Sequence, residues 1–265
     1  MGTVILLGRH IGYSASPAMH AAAFRALGLA HSYELADVTL DELPNAVAGL
    51  HAGDSLGANV TTPHKSAVLD LLDEVEPLCT RVGAVNTVTR RDGRLVGSNT
   101  DVPAIADEIR LLRPAPTRVV VLGGGGAARA VGLALEGVGA SEITFVARSG
   151  RGGGSVAWEG LPDLLPAADL LVNATPVGTE SDDSPVDKGS LHAGLAVLDL
   201  VYRPSPSRLV SDARSAGALA RGGAGVLLGQ GWRSLEAWLF APIEMDVRDA
   251  MAGALRAELG NSADV

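Results

Sequence analysis

The chain has 265 residues, 47% hydrophobic and only 3% aromatic, which suits a large core of Ala, Val and Leu divided between two domains. Its formal charge of −9 excludes the basic stripe that nonspecific nucleic-acid binding needs, so any anion site must be local. The single cysteine, Cys79, allows no intrachain disulfide and fits a reducing compartment. The opening MGTVILLGRH lacks the basic start and apolar length of a signal peptide, and no apolar run is long enough for a bilayer span, so the expectation is a cytoplasmic protein.

Short Val/Ile/Leu strands alternate with Ala-rich amphipathic stretches, the pattern of an α/β protein with a parallel sheet and crossover helices. TVILLG (3–8) predicts the first strand. SPAMHAAAFRALG predicts a helix with Ser16 as N-cap, Pro17 at the first helical position and Gly28 as its stop. Thr39 and Glu42 have capping-box spacing for a second helix. LGANV predicts a buried strand, and Thr62-Pro63 is expected to open a helix carrying His64 and Lys65. AVNTVTRRDGRLVGSN predicts a hairpin that turns at Asp92-Gly93. A helix from about Thr100 to Leu112 ends at RPAPT, whose prolines mark a boundary. RVVVLGGGGAARAVGLAL then starts a new strand, glycine turn and helix.

The chemistry begins in that turn. Gly123, Gly125 and Gly126 stand between an apolar strand and an Ala-rich helix, where absent side chains let backbone N–H groups approach a pyrophosphate. A tight connection without a ligand is the plain alternative. The next strand, EITFVA, runs into Arg148 and Ser149 and carries no acid at its tip to hold an NAD ribose. An arginine there suits a 2'-phosphate, or is merely a solvated surface residue. Lys65 is one of only two lysines, with Lys188, in a chain that otherwise uses arginine. Lysine can exchange its proton where arginine does not, a difference that matters at an acid/base site.

Several separated segments together resemble the shikimate dehydrogenase family: SASP (14–17), NVTTPHK (59–65), GAVNTV (83–88), NTD (99–101), GGGGAARA (123–130), NATPVG (173–178), DLVYRP (199–204) and the region of Gln230. They occur in the family's order across nearly the whole chain. The resemblance implies an N-terminal α/β substrate domain (1–100) and a linker helix with a Rossmann NADP-binding domain (101–229). C-terminal helices (230–265) would pack back on the first domain. It implies reversible reduction of 3-dehydroshikimate to shikimate by NADPH in a monomer or homodimer, without metal, nucleic acid or membrane.

By the same resemblance Lys65 is the acid/base residue and Asp101 its acidic partner. A protonated lysine suits this reaction, because it gives the developing alkoxide both a proton and charge stabilisation. Ser14, Ser16 and Thr61 would hold the substrate carboxylate, and Asn86, Asp101 and Gln230 the ring hydroxyls. Tyr202 would contact the carboxylate or close the cofactor side. Gly123, Gly125, Gly126, Ala127, Arg148, Ser149, Arg151, Asn173, Thr175, Val201 and Gly223 form the implied cofactor set. Plainer readings stand beside these: a solvated lysine, an aspartate favoured in a helix's first turn, a serine N-cap, strand-end polarity at Thr61, and a turn without a ligand at Asn173 and Thr175.

The chain departs from the family pattern at Tyr13, Ala21, Thr179 and Val226, and most of all at SGRGGGS (149–155), where clustered glycines predict that a crossover helix is shortened to a loop. A relative acting on quinate or an amino-substituted shikimate would keep Lys65 and Asp101, but the Ser-Ala-Ser spacing favours shikimate. A ligand-binding regulator of the same fold, without turnover, is the alternative from another class; the intact Lys65 and Asp101 argue against it.

Overall fold

The computed structural model describes residues 1–147 and 155–265. The chain divides into two compact units, one formed by 1–101 with 228–258 and the other by 102–227 with 259–265. Among the described residues no helix is long and apolar enough to cross a membrane.

The first unit is built on a six-stranded mixed sheet. Its strands are β1 (Thr3–Gly8), β2 (Ser32–Asp37), β3 (Ser55–Val60), β4 (Glu74–Val75), β5 (Thr87–Arg91) and β6 (Arg94–Ser98), in the order β2-β1-β3-β5-β6-β4. β1 pairs in parallel with β2 and β3, and β5 runs antiparallel to β3 and β6. The β5–β6 hairpin turns at Asp92-Gly93 as the sequence predicts, both residues having positive φ (52° and 79°) as a tight hairpin turn requires. Leu7, Val60, Val85, Val88 and Leu95 form one buried cluster with α2 (Leu43–Gly49), which contributes Leu43 and Val47.

Helix α1 (Ser16–Ala26) stops at Gly28 as expected. Gly28 has φ 67°, its N–H bonds Arg25 O at 3.1 Å, and Leu29 N–H reaches back to Phe24 O at 2.9 Å, which together make a Schellman cap. Its start corrects the sequence reading: Ala15 is the N-cap, without a side-chain cap bond, and Ser16 is the first helical residue. Ser14 Oγ instead accepts the Ser16 N–H at 3.3 Å, so the local serine-to-backbone bond lies two residues earlier. The Thr39–Glu42 box forms as predicted, with Thr39 N and Oγ1 both donating to Glu42 Oε2 at 2.8 Å and Glu42 N donating to Thr39 Oγ1 at 3.4 Å. It closes just ahead of α2.

His64 and Lys65 lie in a turn rather than in the expected helix, and a short 3-10 segment (Ala67–Leu71) follows them. The backbone explains this: the Lys65 carbonyl, which a helix would spend on residue 69, accepts from Val85 N–H at 2.8 Å instead. A tertiary bond has displaced the local one. Helix α3 (Pro77–Val82) leads from there toward the hairpin.

The second unit follows the start of α4 (Asp101–Leu112). Its parallel sheet comprises β7 (Arg118–Leu122), β8 (Glu142–Val146), β9 (Leu170–Asn173), β10 (Ala196–Asp199) and β11 (Ala220–Arg221), ordered β11-β10-β9-β7-β8. The chain passes from β7 through α5 (Gly126–Gly137) to β8, then crosses to β9 on the other side of β7. That reversal makes the carboxyl ends of β7 and β9 the switch point where such sheets bind ligands. Between β8 and β9 the described residues form a single parallel bridge of Val156 to Val146 and 3-10 turns around α6 (Leu161–Leu164); the glycine stretch that predicts the shortened crossover lies outside the described residues, apart from Ser155. Val120, Leu122, Leu171, Val197, Leu209 and Val210 belong to the buried core, the last two from α7 (Arg208–Ser215). Helices α8 (Ala224–Leu239) and α9 (Met245–Leu259) follow.

Candidate active site

In the first unit the structure brings Lys65, Asp101 and Asn86 together. Lys65 Nζ donates to Asp101 Oδ2 at 2.7 Å, and the two side chains keep 25% and 16% of their surface exposed. They are sheltered but still open to a ligand. Asn86 Nδ2 donates to Asp101 Oδ1 at 2.8 Å and to Thr100 Oγ1 at 2.9 Å, which engages both of its amide hydrogens. Its Oδ1 accepts from Thr100 N–H at 2.8 Å. In this arrangement Asn86 fixes the carboxylate of Asp101, and each oxygen of that carboxylate has a donor.

Behind the pair lies a buried polar network. Asn59 Nδ2 donates to Asn86 O at 3.0 Å and to Ser234 Oγ at 3.1 Å, while Asn59 Oδ1 accepts from Tyr33 OH at 2.9 Å. Ser234 Oγ also lies 2.8 Å from Thr87 Oγ1 and 3.2 Å from Thr100 Oγ1, and it donates to Gln230 O at 2.9 Å. Buried hydroxyls and amides are costly unless paired, and paired they permit a single arrangement. This one ties the part of α8 that carries Gln230 to the strands beside Asn86. Nothing in the sequence pattern marked Ser234, and Thr87 was given no role although it stands in the GAVNTV segment, because a serine in a helix and a threonine in a strand are both commonplace.

Of the other expected substrate residues, Ser14 and Ser16 meet at the start of α1. Thr61 follows β3, its N–H donating to Leu7 O at 2.9 Å. Tyr202 belongs to the second unit, whereas the remaining members of that set belong to the first. His20, in the helix that begins at Ser16, is fully buried and stacked on Tyr33 with ring centroids 4.5 Å apart. Burial pushes its pKa down to about 3, so the ring is held neutral.

In the second unit Gly123 and Asn173 follow, or end, the paired strands β7 and β9 at the switch point. Gly123 has φ 118°, and a Cβ there would lie 2.9 Å from Ala174 O. A Cβ on Gly125 would meet nothing within 4 Å, so the space beside this turn is open. Helix α5 begins next, with Gly125 as N-cap and no side chain capping it. Its first N–H groups, including those of Gly126 and Ala127, present the donors and the positive dipole end that a pyrophosphate needs. These features fit a dinucleotide. Arg148, Ser149 and Arg151 lie outside the described residues.

The facing turn is held from within. Asn173 Oδ1 accepts from Thr175 N at 3.0 Å and from Thr175 Oγ1 at 2.7 Å, while Asn173 Nδ2 donates to Asp199 Oδ1 at 2.9 Å. Val201 O accepts from Gly223 N at 3.0 Å, and a Cβ on Gly223 would strike the Leu200 carbonyl, so close backbone approach alone demands glycine there.

The similarity to known proteins extends over both units. A family model described as the shikimate dehydrogenase substrate binding domain matches residues 6–88. The chain is 40% identical to a shikimate dehydrogenase (NADP(+)) of Symbiobacterium thermophilum, over 96% of this chain and 94% of that one. A crystal structure of shikimate 5-dehydrogenase from Thermus thermophilus, in complex with NADP(H) and shikimate, matches with a TM-score of 0.87 at 35% identity, over 98% of this chain and all of that one (100%). The ligand-free 5-ketofructose reductase of Gluconobacter sp. strain CHM43 matches with a TM-score of 0.81 at 31% identity, over 97% of this chain and 98% of that one.

Proposed function

We propose that this chain, which belongs to the shikimate dehydrogenase family, catalyses the reversible NADP-dependent reduction of 3-dehydroshikimate to shikimate with Lys65 as the acid/base residue. The observation that carries the reading is the Lys65–Asp101–Asn86 constellation: one proton-exchanging cation, oriented by a carboxylate that is itself fixed. The first unit is then the substrate unit and the second the dinucleotide unit.

When bound, a dinucleotide would supply or take up the hydride. Lys65 carries the accompanying proton: as an ammonium it donates to the oxygen that develops charge as the ketone is reduced, and as an amine it takes the proton back from the hydroxyl. An ammonium has three N–H donors, so the bond to Asp101 leaves donors for a substrate oxygen. Asp101 keeps Nζ in place and balances its charge. Ser14, Ser16 and Thr61 anchor the substrate carboxylate, with Gln230, Asp101 and Asn86 toward the ring hydroxyls. The N-terminus of α5, with Gly123, Gly125, Gly126 and Ala127, would hold the pyrophosphate. Asn173, Thr175, Val201 and Gly223 would line the nicotinamide side, where Tyr202 follows Val201. Arg148, with Ser149 and Arg151 nearby in sequence, would pair with the 2'-phosphate.

The test is spectrophotometric: oxidation of shikimate, quinate and a ketose-derived polyol, each with NADP and with NAD. Shikimate with NADP should give the highest kcat/KM; a polyol turned over faster than shikimate overturns the substrate. The Arg148→Asp variant should move the kcat/KM ratio toward NAD, because it places a charge against the phosphate and an acceptor against the ribose. An unchanged ratio would take Arg148 out of the site.

A further inference from the structure

Asp199 ends β10 as the last residue of the buried run AVLD, and it has no exposed surface. Both carboxylate oxygens are nevertheless engaged. Oδ1 accepts from Asn173 Nδ2 at 2.9 Å and from Val201 N–H at 3.0 Å, and Oδ2 accepts from Ser207 Oγ at 2.6 Å. None of these partners is charged.

We propose that Asp199 is the positioning residue for the nicotinamide side of the dinucleotide site, setting the conformation of the Asn173–Val177 turn and of the Val201 backbone. The proposal rests on the reading of the second unit as an NADP site. Four residues assigned to that site, Asn173, Thr175, Val201 and Gly223, reach Asp199 directly or through one intermediate.

The geometry explains how. An ionised carboxylate only accepts, so it orients the Asn173 carboxamide with its NH2 toward Asp199. Oδ1 of Asn173 is thereby turned to Thr175, where it takes both the backbone N–H and the hydroxyl hydrogen. The Thr175 hydroxyl oxygen in turn accepts from Val177 N–H at 3.3 Å. Ala174, between them, donates its N–H to Leu122 O at 2.9 Å and lies against Gly123, so the glycine turn and the Asn173 turn are registered to each other. On the other arm, Val201 N–H is held by Asp199 and Val201 O holds Gly223 N–H. Ser207 anchors the carboxylate from behind and also caps α7 by accepting from Val210 N–H at 3.3 Å.

The same residue is a burden on the fold. Burial pushes the Asp199 carboxyl up to about 6, against the pull of its three donors. An amide or a hydroxyl would fill the space with less desolvation, so the carboxylate's value lies in the turns it organises.

The experiment compares wild type, Asp199→Ala and Asp199→Asn. NADP and shikimate are titrated separately, and kcat and KM are measured for each ligand. Asp199→Ala should raise Kd and KM for NADP roughly 10-fold or more, the worth of hydrogen bonds to a charged group, while the shikimate Kd stays within about twofold. Asp199→Asn should recover most of the loss, since its oxygen can still accept from Asn173 and Val201 while its NH2 faces Ser207. A wild type that binds no NADP overturns the functional reading before any variant is considered. A wild type that binds NADP, with Asp199→Ala unchanged or weakened equally for both ligands, overturns the positioning role alone. A second measurement needs no variant: the side-chain NH2 of Asn173 in ligand-free wild type should exchange slowly with solvent. Exchange at the rate of a free carboxamide overturns the proposal even where Asp199→Ala does not fold.

Discussion

Two aspartates, Asp101 in the first unit and Asp199 in the second, are each held by short hydrogen bonds, yet their surroundings suit opposite tasks. Asp101 faces a lysine and keeps part of its surface open, so its charge is compensated and its neighbour can meet a substrate. Asp199 is fully buried, its donors among the described residues are all neutral, and burial raises its pKa. A carboxylate paired with a cation at a sheltered edge can take part in chemistry. One sealed in the core can only hold other groups in place, at a cost to stability. A perturbed titration here reports burial and does not by itself mark a reacting group.

The largest expected effect tests the open pair. Lys65→Met should lower kcat roughly 10²-fold or more while NADP binding and folding persist, as steady-state kinetics and titration would show. Lys65→Arg sharpens the point, because it keeps a cation opposite Asp101 but not one that can give up its proton. Its kcat should fall nearly as far, and recovery to more than about a tenth of wild type would mean that Lys65 acts through charge alone.

Dry groups should instead report through stability. The unfolded chain protonates His20 near 6.5, whereas the folded state refuses the proton until about 3. The stability contributed by neutral His20 is therefore complete above pH 6.5 and lost as the pH falls from there through about 3. His20→Phe, which keeps a ring against Tyr33, should gain roughly 3 kcal/mol over wild type at pH 4 relative to pH 7.5, measured by denaturant unfolding. Asp199 has the opposite sign. Its carboxyl binds a proton at about 6 when folded and at 3.8 when unfolded, so the stability of the neutral form is fully present below 3.8 and lost as the pH rises through 6. Asp199→Asn should be more stable than wild type by roughly 3 kcal/mol at pH 8, an advantage that disappears at about pH 3.5. The smallest effect belongs to Asp101→Asn, which should change stability by no more than about 1 kcal/mol, as for other partly exposed ion pairs, while lowering kcat. If Asp101→Asn unfolds the protein and Asp199→Asn does not stabilise it, the contrast between the two carboxylates is wrong.

Features governed by a few neighbouring residues were legible in the sequence. Gly28 ends α1 and Asp92-Gly93 turns the hairpin because positive φ is a local demand that glycine, and to a lesser degree aspartate, meets. The Thr39–Glu42 box forms because its two residues supply one another's missing partners. The strand, glycine turn and helix at 118–137 likewise combine an apolar run, a bend and an Ala-rich stretch in order. Lys65 and Asp101 could be singled out together only because their motifs resembled those of a family. The segment around His64 misled the reading, since Pro63 and its neighbours suit a helix start until Val85 takes the Lys65 carbonyl.

The sequence by itself determined the alternation of strands and helices, the caps and turns, and the residue types available for proton transfer and phosphate binding. The tertiary structure alone decided which polar groups meet. It set Asn86 on Asp101 across 15 positions, Ser234 on Asn59 across 175, and Asp199 on Asn173 across 26. In sequence, Asp199 opens the DLVYRP segment at the end of an apolar strand with no sign of its partner, and Ser234 is one serine within a helix. The physical reason is that a buried donor or acceptor must find a partner wherever the packed chain provides one, and backbone propensity carries no information about a partner so distant.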